Sequence, residues 1–372
     1  MRVALVHDWL TGMRGGERVL EVLCRLLPEA PIFTLLHVPG SVSRIIEDRA
    51  IHTSPLQRIP GIARRYRALL PLFPWAVSRL DVRAFDLVVS VSSCVAKSVR
   101  VAEGARHICY INAPMRYAWD LRDDYFASDG LGRAKAALAG PVLDALRQWD
   151  RRTADRVHRY LTNAKNIAGK VERFYGRSAE VIPPPVRWDR FRLAPESERS
   201  DAYLVLSALV PYKCVDLAIE AFRGYGRVLE IAGDGPERAR LQKSAPDNVR
   251  FLSRISDEEA AHRLARCRAL IFPGEEDFGI VPLEAQAAGR PVIALGRGGA
   301  LETIRPLDGE EPSTGLFFDE ATPDALRAAL ARFEAREGAF DPRACRANAL
   351  RFDEPVFEAA LRRVLEEEGV RF

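Results

Sequence analysis

Long apolar runs are missing from this 372-residue chain. Its longest stretch without a charged side chain, Ala30–Ser43, has 14 residues and holds two prolines, a glycine and a histidine. A bilayer span needs about 20 consecutive apolar residues, so no membrane-crossing helix is expected. Nor does an apolar leader precede the first strand, which is expected to open at Arg2. The six cysteines, at positions 24, 94, 109, 214, 267 and 345, include no CxxC pair. That argues against a zinc ribbon or a dithiol redox centre and fits buried free thiols in a reducing cytoplasm. Glycine-rich turns occur at 12–17, 233–236 and 296–299, but none completes GxGxxG, because Arg238 stands where the third glycine would follow Gly233 and Gly235. GK[ST] is absent as well, so neither a nicotinamide or flavin fingerprint nor a Walker A loop is present. There is no D-x-D and no His/Asp cluster with metal-ligand spacing. No cofactor and no metal are therefore expected. Internal repeats and low-complexity tracts are also lacking.

What remains is the composition of a globular protein, 48% hydrophobic and 28% charged. The length suits two domains of roughly 150–200 residues. Charge is unevenly shared. Residues 1–185 carry 28 Lys and Arg against 18 Asp and Glu, and the remainder 27 against 33. A basic front half points to an anionic partner. Nucleic acid would call for stacking platforms or a recognition helix, and neither is evident, so it is not expected. The segment Arg58–Arg83 sets Arg58, Arg64, Arg65, Arg67, Arg79 and Arg83 around Leu69-Leu70-Pro71-Leu72-Phe73-Pro74-Trp75, with Asp81 the one acid. It reads either as a surface for an anionic membrane or as a solvated basic face over a core stripe.

Short apolar runs alternate with helical patterns. Arg2–His7, Ile32–Leu36, Phe85–Val91, His107–Ile111 and Arg159–Leu161 are expected strands of a sheet buried on both faces. Glu17–Leu27 and Ala134–Arg152 are expected helices. Pro183-Pro184-Pro185 can continue neither a helix nor a central strand, and the boundary is placed there. The pattern restarts with strands at Tyr203–Leu206, Val228–Ala232, Val249–Leu252, Ala269–Phe272, Val292–Ala294 and Gly315–Phe318, and helices at Val215–Phe222, Asp257–Ala265 and Pro282–Ala288. The fold class is α/β, two Rossmann-like parallel-sheet domains facing across a cleft, residues 1–183 and 184–350. A last helix, about 354–368, can pack on either. His7 and His107 read as core residues. Asp8, at the end of the first strand, is a candidate acceptor contact. Gly15 and Gly16 open a helix directly after that strand, where amides can approach a phosphate.

The most informative stretch is Gly274-Glu275-Glu276-Asp277-Phe278-Gly279-Ile280-Val281-Pro282-Leu283-Glu284, continued by QAAGRPVIALGRGG. It resembles the E-x7-E signature of retaining glycosyltransferases of family 4, which have the GT-B fold. So do Ser207–Lys213 with Asp216–Phe222, the Ile231–Pro236 turn and Phe251–Arg254. His7-Asp8-Trp9-Leu10, Gly15–Arg18 and Tyr110–Asp120 resemble bacterial mannosyltransferases of O-antigen and exopolysaccharide assembly. The resemblance implies catalytic roles for Glu276, Lys213 and Asn112. It implies donor contacts from Gly15, Gly16, Arg254, Phe278, Gly279, Ile280, Val281 and Glu284, and makes Arg116, beside Asp8, a possible acceptor contact. Ala208 stands where the family has an arginine, Ser253 where it has a glycine, and Asn112 where it has a histidine facing the donor's 6-position. The implied activity is metal-independent transfer of a hexose, best mannose from GDP-mannose, to a lipid-linked or polysaccharide acceptor, forming an α-linkage. The partners are then a nucleotide sugar, that acceptor and the inner face of the cell membrane, approached from the cytoplasm. An inactive partner subunit and a nucleotide-sugar 2-epimerase are the alternatives.

Overall fold

The computed structural model describes residues 1–116, 118–119 and 132–372, with the backbone alone for Arg64 and residues 132–139. Tyr117 and Asp120 of the Tyr110–Asp120 motif, and the Arg64 side chain, lie outside the described residues. The chain forms two compact units, Met1–Pro184 with Phe357–Phe372, and Pro185–Val356.

In the first unit β1 (Val3–His7), β2 (Ile32–Thr34), β3 (Ile51–Thr53), β4 (Leu87–Ser92), β5 (Arg106–Ile111), β6 (Arg159–Thr162) and β7 (Ala179–Val181) form one sheet. Its order is β3-β2-β1-β4-β5-β6-β7, and every pairing is parallel. β4, LVVSVS, is buried at all six positions because helices cover both faces. Its two serines are spent inside, Ser90 Oγ lying 2.8 Å from His107 Nε2. α1 (Gly15–Leu26) turns Val19, Leu20, Val22, Leu23 and Leu26 onto the sheet beside Leu5, Val89 and Ile108. α2 (Gly132–Thr153) and α3 (Lys165–Tyr175) follow.

The second unit has β8 (Tyr203–Leu206), β9 (Leu229–Ala232), β10 (Val249–Leu252), β11 (Leu270–Phe272), β12 (Val292–Leu295) and β13 (Gly315–Phe318). They are ordered β10-β9-β8-β11-β12-β13, again all parallel. Its principal helices are α4 (Val215–Phe222), α5 (Asp257–Arg266), α6 (Ile280–Ala287), α7 (Pro323–Ala335) and α8 (Pro342–Leu350). Buried Asn348 of α8 donates to Gln286 Oε1 of α6 at 2.6 Å and to the Thr303 carbonyl at 2.9 Å, fixing α6 from behind.

The last helix, α9 (Glu354–Glu367), belongs mostly to the first unit. Phe357, Leu361, Val364 and Leu365 enter its core, with Phe357 edge-on to Tyr110 at 5.8 Å. Ion pairs fasten its outer face. Arg159 reaches Glu180 and Glu367, each at 2.6 Å, Arg363 pairs with the same two carboxylates, and Arg106 meets Glu368 at 3.0 Å.

Strand order reverses between β1 and β4 in one sheet and between β8 and β11 in the other. At such a switch point neighbouring loops leave in opposite directions, so each unit has a crevice beyond the carboxyl ends of those strands. No described helix is long and apolar enough to cross a membrane.

Candidate functional site

The loops after β8 and β11 flank the switch point of the second unit. After β8 the chain turns through Pro211–Lys213 and enters α4 through Cys214, whose φ is +51°. After β11 it turns at Gly274 and enters α6 through Gly279, at φ +84°. The two loops touch. A Cβ on Gly274 would lie 2.8 Å from both the Lys213 Cα and the Tyr212 carbonyl oxygen, so only glycine lets them meet. Lys213 Nζ then forms an ion pair with Glu276, and the ammonium stands 5.4 Å from the centre of the Tyr212 ring. Neighbouring loops close the floor. A Cβ on Gly233 would strike the Ser207 carbonyl oxygen at 1.8 Å, and one on Gly299 the Phe278 Cα at 2.3 Å. The Gly299 amide donates to the Glu276 carbonyl at 2.8 Å.

Beside Lys213 and Glu276 begins α6. The amides of Gly279, Ile280 and Val281 have no acceptor within the helix, and Pro282, the next residue, has no N–H to lose. Three open amides at the positive end of a helix, next to an ammonium, suit an anion. Glu284 lies one turn further along, half-buried. Phe278 contributes differently from the direct donor contact expected of it. Its ring is buried and edge-on to Phe352 at 5.7 Å, so the side chain anchors the turn from the core. Arg254 is exposed beyond β10, two strands from β8. Sequence reading missed the structural part of Arg238 in the neighbouring loops. Its guanidinium donates to the Gly233 carbonyl at 2.9 Å and the Leu252 carbonyl at 3.3 Å, and lies 5.9 Å from the centre of the Phe251 ring. It thus ties the loops after β9 and β10 together. The one signal was its place in the position of a third glycine.

At the first unit's switch point Asp8 is turned inward. One carboxylate oxygen accepts from the amides of Ser93 and Cys94, the other from those of Val95 and Ala96, at 2.5–2.9 Å. The side chain is buried, so the expectation of an acceptor contact gives way to an anchor for the loop after β4. Gly15 and Gly16 begin the first turn of α1, and Gly16 comes up against Asn112, whose Nδ2 would be 3.1 Å from a Cβ there. That Nδ2 is buried and has no hydrogen-bond partner among the described residues. The Asn112 backbone is held by Ser92 at 2.8 Å and by the Asn163 amide at 3.0 Å. Arg116 is half-buried in the turn that follows Met115. His107 is a core residue. Burial, against a hydrogen bond to the Arg156 carbonyl, brings its imidazole down to about 3, so it is uncharged at neutral pH.

The structure therefore gathers Lys213, Glu276 and Gly279–Val281 in one unit, and Gly15, Gly16 and Asn112 in the other. Two Rossmann-like units, each with its own parallel sheet and switch-point loops, are the architecture of the GT-B fold class. Residues 187–351, within the second unit, match the family model of glycosyl transferases group 1. Among curated relatives, a GDP-mannose-dependent alpha-(1-6)-phosphatidylinositol monomannoside mannosyltransferase of Mycobacterium tuberculosis is 36% identical over 41% of this chain and 46% of its own length. A D-rhamnosyltransferase of Pseudomonas aeruginosa is 29% identical over 48% and 46%. The chain spans about half the length of these relatives. Sucrose-phosphate synthase from Thermosynechococcus elongatus shares the fold over 99% of both chains, with a TM-score of 0.75 at 15% identity.

Proposed function

We propose that this protein is a retaining, metal-independent glycosyltransferase that moves a hexose, first of all mannose from GDP-mannose, onto a lipid-linked or polysaccharide acceptor as an α-glycoside. The observation that carries the reading is the meeting of Lys213 and Glu276 beside the open amides of Gly279–Val281. Together the ammonium and the amides offer a leaving nucleoside diphosphate the positive field it needs as negative charge develops on it. Glu276 orients sugar hydroxyls, and Glu284 takes the ribose hydroxyls. In the transfer the bond from C1 to the diphosphate oxygen breaks, and a bond from C1 to the acceptor oxygen forms on the same face. The acceptor's proton passes to the departing diphosphate. The mannosyltransferase relative supports both the donor and a lipid acceptor. A 6-deoxyhexose is a second reading. The rhamnosyltransferase relative favours it.

The acceptor is expected at an anionic membrane on the cytoplasmic side. Exposed Ile59, Leu72 and Trp75 stand among exposed Arg58, Arg65, Arg67 and Arg79, and Arg79 lies 5.7 Å from the centre of the Trp75 ring. Such a patch suits a lipid interface. Binding to phosphatidylglycerol-rich vesicles is expected to fall in Leu72→Ala/Trp75→Ala, and equal binding by the variant would remove the membrane from the reading.

Calorimetric titration with GDP, UDP and dTDP, without added metal, tests the whole. One nucleotide should bind, GDP first of all, and binding should be lost in Lys213→Ala and in Glu284→Ala. If none binds the wild-type protein, the reading falls and an inactive subunit takes its place.

A further inference from the structure

His7 closes β1 and Glu17 lies in the first turn of α1, and the two side chains are only 5% and 4% exposed. His7 Nδ1 is 3.0 Å from the Val91 carbonyl oxygen. A carbonyl can only accept, so Nδ1 bears a hydrogen. The other ring nitrogen, Nε2, is buried, has no hydrogen-bond partner among the described residues and faces Glu17 Oε1 at 3.5 Å. The second Glu17 oxygen accepts from the Arg14 amide at 3.0 Å, at the very start of the helix. Gly16 rests on the imidazole, since a Cβ there would be 3.3 Å from His7 Cε1 and 3.1 Å from Asn112 Nδ2. One ring thus supports the glycine turn and adjoins the asparagine, while its partner carboxylate holds the helix cap.

We propose that His7, protonated and paired with Glu17, is a positioning residue that sets the Gly15–Gly16 turn and Asn112 for sugar transfer. The role in transfer rests on the function proposed above, whereas the pairing and its effect on the turn stand without it. The charged groups facing His7 are Glu17 from α1 and Asp8 from its own strand, and Arg14 faces Glu17 at the cap. From β4 comes only the Val91 carbonyl, and the residue after β5 presents the uncharged amide of Asn112. Asp8 is already committed to four amides. Neutral His7 would leave Glu17 buried without its counter-charge, a strongly unfavourable arrangement. The carboxylate then turns toward water and releases the Arg14 amide and the first turn of α1.

Burial opposes the charge on His7, but Glu17, Asp8 and the Val91 carbonyl outweigh it and hold the imidazole above its ordinary 6.5. Burial likewise opposes the Glu17 carboxylate, and His7 outweighs it, so Glu17 stays below its ordinary 4.5. The ordered turn is therefore complete between pH 4.5 and 6.5, is lost as pH rises through the raised value of His7, and is lost again as pH falls through the lowered value of Glu17.

Selective labelling of the histidine rings and of the glycine and asparagine amides allows both ends to be followed by NMR across a pH titration. In the wild-type chain the His7 ring is expected to titrate above 6.5, with the Gly15, Gly16 and Asn112 signals moving in step. In Glu17→Gln, His7 should titrate below the wild-type value and carry those signals with it. A wild-type His7 that titrates below 6.5, or amide signals flat across its titration, overturns the pairing. For transfer, GDP release from GDP-mannose should fall on the alkaline side at the same pH in the wild type. His7→Gln, which keeps an N–H for Val91, should lose that limb and about tenfold in kcat with KM little changed. An unaltered alkaline limb in that variant removes the role in transfer. Failure of all nucleotides to bind in calorimetry would sink the transferase reading and leave the NMR result to judge the pairing.

Discussion

Cys214 is the only non-glycine residue with a positive φ among the described residues, and it sits between the site lysine and α4. A side chain in the left-handed region costs roughly 1–2 kcal/mol, so the backbone here is held by its surroundings, chiefly the Gly274 turn packed on Lys213. The conformation turns Lys213 toward Glu276 rather than continuing the strand. Cys214→Gly should therefore keep or raise the thermal midpoint. Cys214→Val, β-branched and ill-suited to that region, should lower stability by about 1–2 kcal/mol. A valine variant as stable as the wild type would show that the turn is not strained. The resting ion pair has a further effect. In the proposed transfer an incoming diphosphate draws Lys213 from Glu276, and the freed carboxylate is then available to the sugar.

Among the elements, α2 is tied to its neighbours by a buried charge. Lys97 and Asp150 pair at 3.0 Å with almost no exposure. Lys97 also donates to the Asp150 carbonyl at 2.8 Å, while Trp119 Nε1 and the Tyr175 hydroxyl donate to Asp150 Oδ2 at 2.8 and 2.7 Å. The turn ending at Trp119 and the end of α3 are thereby joined to α2. Removing one member of a buried pair strands the other, at about 3–5 kcal/mol. Lys97→Met is expected to cost that much in urea unfolding, and Lys97→Met/Asp150→Asn to recover a large part. Additive losses in the double-variant cycle would show that the two charges are not coupled.

Elements of this kind also mark what could be read beforehand. Central strands such as β4 and β12 were legible because burial on both faces demands an unbroken apolar run. β3 and β7 were not. They are three-residue edge strands, Ile51–Thr53 and Ala179–Val181, half-buried or exposed and without such a run. Lys213, Glu276 and Gly279–Val281 were legible because each lies in a local strand–turn–helix pattern. Asp8 was misread because its partners, Ser93–Ala96, lie 85–88 positions away. Nothing in the neighbourhood of Asp8 announces them. His107 was legible as a core residue from its place in an apolar strand. The His7–Glu17 pair was not, since it depends on how α1 folds back over β1.

For the whole molecule, the sheet edge at β6 and β7 and the end of α9 are joined by alternating charges. Burial opposes the Glu180 carboxylate, but Arg159 and Arg363 together outweigh it and hold it below its ordinary 4.5, and Arg159 and Arg363 do the same for exposed Glu367. A carboxylate lowered in the folded state stabilises it above pH 4.5, and that stabilisation is lost as pH falls through the lowered value. Protection of the α9 amides against hydrogen exchange, taken relative to the intrinsic rate at each pH, is therefore expected to fall below pH 4.5 before that of the central strands, in keeping with local opening. Arg159→Ala should show the faster exchange already at neutral pH. Uniform acceleration over the whole sheet would mean that α9 does not open separately.

The return of α9 to the first unit also sets an order of events during synthesis. Residues 185–356 stand, in the chain, between two pieces of one core. A ribosome that has made residue 356 has delivered every residue of the second unit, while the first still lacks Phe357, Leu361, Val364 and Leu365. The half that is translated first is thus the one that must wait, its floor open to chaperones until the final helix emerges.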